Sequence, residues 1–132
     1  MSNSNNPPDL RERTKVFALR IIRMYASLPR TTEAQIIGKQ VLRSGTSVGA
    51  QYREAARGKS SPDFVSKLQG GLQELDETAY WLELLVEGEI VSAPRLADLR
   101  RETDELIAIF VASVKTAKSR LNAERARRNA DQ

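Results

Sequence analysis

The sequence predicts an all-α fold: an antiparallel up-down-up-down four-helix bundle. Three observations carry that expectation. Apolar residues recur at the helical 3.6-residue period in four separate segments, and none alternates strictly over the length of a strand. Proline and glycine punctuate the chain between those segments. The connections are short enough to force successive helices to run antiparallel. At 132 residues the chain is expected to form one domain. It divides into a disordered N-terminus over 1–8, a bundle over 9–121 and a basic C-terminal tail over 122–132.

The first helix is expected from about Asp9 to Leu28. Asp9 follows Pro7-Pro8, and its carboxylate suits the N-cap. Phe17, Ile21, Met24, Tyr25 and Leu28 make one apolar stripe, and Pro29 ends the segment by driving Leu28 out of the α region. The second helix is expected to start at Thr32, where Thr32-Glu33-Ala34-Gln35 reads as a capping box, and to stop near Gly58. Its inner stripe is Ala34, Ile37, Val41, Gly45, Val48, Tyr52 and Ala55. Gly45 and Gly49 inside a helix each cost about 1 kcal/mol relative to Ala. Close approach of another helix backbone would offset that cost.

The third helix begins at Ser60-Ser61-Pro62-Asp63, with Ser61 as cap, Pro62 at the first position and Asp63 complementing the dipole. Its core stripe is Phe64, Leu68, Leu72, Leu75, Ala79, Leu82 and Val86, and Gly88 closes it. A second stripe of Trp81, Leu84 and Leu85 faces elsewhere and is expected to form an oligomer interface. The fourth helix begins near Ser92-Ala93-Pro94. Leu96, Leu99, Thr103, Leu106, Phe110, Val114, Ala117 and Leu121 repeat almost as a heptad. Beyond Leu121 the chain is polar and basic and is expected to fray.

Composition excludes much chemistry. With no Cys and no His, the chain has no thiol nucleophile, imidazole base, serine triad or ordinary zinc site. The expectation is a protein that is not an enzyme and takes no metal or cofactor. The N-terminus lacks an apolar signal core, and no apolar run approaches the roughly 18 residues of a membrane span. A cytoplasmic protein with no membrane partner is expected.

The net charge of +4 conceals a segregation. Residues 9–59 carry 11 basic and 4 acidic side chains, residues 60–114 carry 4 and 11, and residues 115–132 carry 6 and 2. Arg13, Arg20 and Arg23 share a side of the first helix, while Lys39, Arg43, Arg53 and Arg57 lie near one line of the second. Such a surface suits phosphate contacts, and these seven residues are the candidate nucleic-acid contacts. The acidic half, a neighbouring subunit and nucleic acid are the three ways to offset its charge. The carboxylate rows Asp76, Glu83, Glu87 and Asp98, Glu102, Glu105 lie off the core stripes and read as a solvated or partner-matched face. The stretch Arg43-Ser44-Gly45-Thr46-Ser47-Val48-Gly49 lacks the Gly-Lys-Ser/Thr ending of a phosphate loop and has no preceding strand.

Three ordered blocks, 42–55 (Leu42-Arg43-Ser44-Gly45 through Glu54-Ala55), 61–68 (Ser61-Pro62-Asp63-Phe64 through Leu68) and 77–85 (Glu77-Thr78-Ala79-Tyr80-Trp81 through Leu85), resemble the signature of one family. It is the four-helix bundle protein family, also called the intervening-sequence protein family of large-subunit ribosomal RNA genes. The resemblance covers about Phe17 to Lys118. It implies a bundle that assembles as a cyclic homopentamer. It also implies kinship with the accessory variability determinant of diversity-generating retroelements, which binds nucleic acid and a reverse transcriptase through a basic surface. RNA or DNA, a reverse transcriptase and further copies of the chain are therefore the implied partners. Gln51 stands where the family commonly has Asn, and Gly70-Gly71 replaces an apolar-Ala pair. The resulting expectation is an oligomeric bundle that binds RNA through the first two helices and the basic C-terminal run Lys115, Lys118, Arg120, Arg125, Arg127 and Arg128. The alternative is a scaffold whose basic and acidic halves pair between subunits.

Overall fold

A computed structural model describes residues 9–58 and 60–131, so the expected disorder of residues 1–8 lies outside the described residues. Four helices follow in order: α1 Leu10–Ala26, α2 Thr32–Ala56, α3 Ser61–Glu87 and α4 Ala93–Ala130. No strand occurs among the described residues, and none of the helices is long and apolar enough to cross a membrane.

The helix starts follow capping chemistry, with two shifts of register. Asp9 caps α1 as expected, its carboxylate accepting from the Glu12 N–H at 3.2 Å. The cap of α2 is Thr31, one residue before the expected Thr32, and its hydroxyl oxygen accepts from the Ala34 N–H. Gln35 thereby falls one position too late to close a capping box. Its amide instead accepts from the Tyr25 hydroxyl and donates to the Pro29 carbonyl, both at 2.9 Å, and pins the α1–α2 turn. Ser60, not Ser61, caps α3 by accepting from the Asp63 N–H. That leaves the Ser61 hydroxyl free to donate to the Glu124 carboxylate at 3.0 Å. Gly88 ends α3, but the left-handed residue in that turn is Glu89, with φ 59°.

Each helix packs on its sequence neighbour, α1 on α2, α2 on α3 and α3 on α4. Along each seam, rising residue numbers on one helix meet falling numbers on the next. Thr14 lies over Gly49, Ile21 over Gly45, and Tyr25 and Leu28 over Gly38. Ser44 meets Thr78 at 2.7 Å, Gln51 lies against Gly70, and Glu54 pairs with Lys67. Phe110 covers Gly71, and Glu124 reaches Ser61. The glycines of α2 therefore receive side chains of α1. A Cβ at Gly45 would stand 2.7 Å from Ile21 Cγ1, inside van der Waals contact.

All eight residues expected to face inward on α4 are buried. On α3 the buried line is Val65, Leu68, Gly71, Leu75, Thr78, Leu82 and Leu85. Phe64, Leu72, Ala79 and Val86 flank it half-buried. The expected stripe was rotated because Gly71 and Thr78 carry no hydrophobic signal, although both sit in the core. Thr14, Thr78 and Thr103 remain satisfied there by donating to the carbonyl four residues earlier.

The helix α4 does not fray after Leu121. It continues to Ala130 as a 38-residue rod, about 57 Å long, against about 40 Å for the 27 residues of α3. Alanine and arginine dominate its last turns, and both are strong helix formers.

Candidate nucleic-acid interface

Two of the seven expected contacts are engaged within the chain. Arg13 of α1 donates from Nε and Nη2 to the two carboxylate oxygens of Glu102 on α4, each at 2.8 Å, and from Nη2 to Glu105 at 3.1 Å. Arg43 of α2 donates to Glu74 at 3.1 Å and to Glu77 at 3.0 Å on α3. Part of the basic half is thus offset by the acidic half of the same chain. Arg13 and Arg43 leave the set of free phosphate contacts for that reason.

The Arg13–Glu102 fork is the stronger clip, because both of its bonds are 2.8 Å and Arg13 keeps 29% of its side-chain exposure against 52% for Arg43. The Arg13 hydrogen bond holds the Glu102 carboxyl below its ordinary value, outweighing the opposing effect of burial, with the charges of Arg13 and Arg20 adding to it. Hydrogen bonding to Glu102 pushes the Arg13 guanidinium further up. The clip's stabilisation is therefore complete above the unfolded carboxylate value, about 4.3, and is lost as pH falls through the lower folded value. Wild type is expected to exceed Glu102→Gln by about 1–2 kcal/mol at neutral pH. That difference shrinks as pH falls below the ordinary carboxylate range. Urea denaturation at a series of pH values checks this, and a pH-independent gap contradicts it.

The other five basic residues make no ion pair among the described residues, and they lie at two ends of the molecule. Arg53 lines a cleft between α1 and α2 with Lys15 and Ala50, and Arg57 is the exposed C-cap of α2. Arg20 and Arg23 line a different cleft where α1 ends and α4 begins. Lys39 is exposed on the first half of α2, beside the Gly38 contact with Tyr25 and Leu28. The expected single basic face is therefore split.

The register of the helices assembles a basic end that the linear order conceals. Gly58, Ser60, Ser61 and Phe64 share a cleft with Ala117, Arg120 and Glu124, so the α2–α3 turn lies against the late turns of α4. Arg53 and Arg57 thereby come to the same end as Arg120, Arg125, Arg127 and Arg128. Among the described residues past Leu121 only Glu124 is half-buried, and the side chains of Arg125, Arg127 and Arg128 are exposed.

The expected apolar interface also needs correction. Leu85 is completely buried in the core, because α3 is covered on two sides by α2 and α4. Leu84 and Trp81 are half-buried, and the Trp81 indole N–H is enclosed with no acceptor among the described residues. An outward-facing anchor would present that group to solvent or a partner. Exposed large apolar residues occur on all four helices among the described residues; Ile36, Tyr80 and Val111 stand singly on α2, α3 and α4, whereas Val16, Leu19 and Ile22 form a row on α1 at spacings of three, each more than 40% exposed. In the sequence this row is a second apolar line beside the Phe17 and Ile21 stripe.

Residues 9–112 match the family described as 23S rRNA-intervening sequence protein. No curated protein matches the chain. A solved structure from Bacteroides thetaiotaomicron, a protein of unknown function from the S23 ribosomal protein family, is similar at 35% identity and a TM-score of 0.75. The similarity covers 80% of this chain and 95% of that one.

Proposed function

The chain belongs to the 23S rRNA-intervening sequence protein family, and from that premise we propose a non-enzymatic, cytoplasmic bundle that binds RNA at its basic end. The proposed contacts are Arg53 and Arg57 of α2 with Arg120, Arg125, Arg127 and Arg128 of α4. The observation that carries the reading is the overhang of α4. Its guanidiniums project from turns that are exposed among the described residues, and isolated helices of that length are marginal in water. A polyanion would stabilise it by neutralising its charge and releasing counterions.

The proposed assembly is a cyclic homopentamer of antiparallel up-down-up-down bundles. The opposed residue order along each seam supports the helix arrangement. Val16, Leu19 and Ile22 supply an apolar strip of the kind that subunit contacts cover.

Affinity for a single-stranded RNA is expected to fall with rising salt. The triple variant Arg125→Gln, Arg127→Gln, Arg128→Gln should reduce the slope of log K against log salt by about 2, roughly 0.7 per lost phosphate contact. Arg43→Gln should leave the slope unchanged, its charge being offset by Glu74 and Glu77. Fluorescence anisotropy at several salt concentrations measures both. An affinity that ignores salt would sink the proposal.

A scaffold without nucleic acid is the second reading, in which the charge that the intrachain Arg13 and Arg43 pairs leave over is offset between subunits. It requires the oligomer itself to dissociate in high salt, which light scattering reports.

A further inference from the structure

The cleft between the end of α1 and the start of α4 belongs to neither the basic end nor the apolar strip. It measures about 360 Å³, and Arg20, Arg23 and Arg95 line it together with one carboxylate, Asp98. That carboxylate already accepts from Arg101 at 2.7 Å. Glu102, whose carboxyl senses the charge of Arg20, is held by Arg13. None of the three guanidiniums makes an ion pair among the described residues. The carboxyl end of α1 and the amino end of α4 meet here, so their dipoles oppose one another and the guanidiniums set the sign of the field. The floor is apolar: Val91, Leu96 and Leu99 are buried, with Met24 half-buried beside them.

We propose that this cleft binds a nucleoside phosphate. A phosphate monoester offers acceptor oxygens to several planar guanidinium forks at once. The apolar floor then receives the face of the attached base or sugar. The volume lies at the small end of ligand pockets, which suits one nucleotide and not a larger cofactor. The same chemistry is carried by a free nucleotide and by the phosphorylated end of a strand.

Calorimetric titration of the full chain tests the site with uridine 5′-monophosphate, uridine and inorganic phosphate. The monophosphate is expected to bind at least about tenfold more tightly than either part alone, the size of one charge-assisted bond left unmade. Arg23→Gln with Arg95→Gln removes that advantage, with circular dichroism confirming a folded helical chain. Arg95 is exposed, so the single variants Arg95→Gln and Arg95→Lys keep the test available should the double variant unfold. Lysine is expected to restore only part of the affinity, because it lacks the fork.

Equal binding of monophosphate and uridine, or wild-type affinity in a folded Arg95→Gln variant, overturns the proposal. Tetrauridylate with and without a 5′-phosphate assigns the source. A phosphate-dependent gain that Arg95→Gln abolishes marks the strand end, and preference for the monophosphate over both marks the free nucleotide. The triple variant of the α4 overhang should leave monophosphate binding intact, so failure of the RNA reading and failure of this site are separately visible.

Discussion

Phe110→Ala is expected to destabilise the fold by about 3–5 kcal/mol, the range for truncating a buried phenylalanine. The ring is completely buried, stands edge-on to Tyr52 with centroids 6.2 Å apart, and lies against the bare backbone of Gly71. Its removal loses transfer free energy, the aromatic contact and the atoms that fill the α3–α4 seam. For a chain of this size the melting temperature should drop by about 10–20 °C. Gly71 makes the prediction sharper. A Cβ there would stand 2.7 Å from Phe110 Cε2, so Gly71→Ala in wild type meets a ring that cannot retreat. The overpacking, about 1–3 kcal/mol, then outweighs the helix-propensity gain of about 1 kcal/mol. In the Phe110→Ala background the same substitution enters empty space and becomes stabilising. Denaturant unfolding of the four proteins in that cycle checks the reversal. Additive effects would show that the two residues do not share a seam.

Gly45→Val should cost about 3 kcal/mol or more. An added Cβ would lie 2.7 Å from Ile21 Cγ1 and 3.0 Å from Ile21 Cγ2, and Ile21 is fully buried. Those atoms sit on a branched, stiff side chain, so relief requires α1 to move away from α2. Gly70→Ala is the contrasting case one seam away. Its Cβ would meet only the amide end of Gln51, at 3.0 Å, and a half-exposed glutamine can swing aside. Gly70→Ala is therefore expected to stabilise by up to about 1 kcal/mol. Thermal melts of the two variants should move in opposite directions, and equal losses would refute the account of the α1–α2 contact.

The existence and order of the helices were legible because apolar periodicity survives single exceptions. The α4 stripe from Leu96 to Leu121 was fully readable, since nearly every core position on it is a large apolar residue. The α3 core line is one step out of phase with its most apolar positions. Gly71 and Thr78 are core residues by virtue of Phe110 and Ser44, which come from other helices. The caps at Thr31 and Ser60 were each displaced by one residue, because Thr31-Thr32 and Ser60-Ser61 offer equivalent hydroxyls. The candidate site was less legible still. Arg13, Arg43 and Arg57 look alike in sequence, yet two of them meet carboxylates tens of residues away while the third is exposed and makes no ion pair among the described residues.

By itself, the sequence determined what kind of molecule this is: helical, with core stripes at a period of 3.6, charge divided between its halves, and no imidazole or thiol for catalysis. Tertiary structure alone decided which charges remain available. Glu102 neutralises Arg13 because α4 passes within reach of α1, and Arg53 and Arg57 gain company from Arg125, Arg127 and Arg128 because the α2–α3 turn lies against the late turns of α4. Periodicity is a local property that each residue reports for itself, whereas charge compensation depends on which distant segments are brought within a few ångströms.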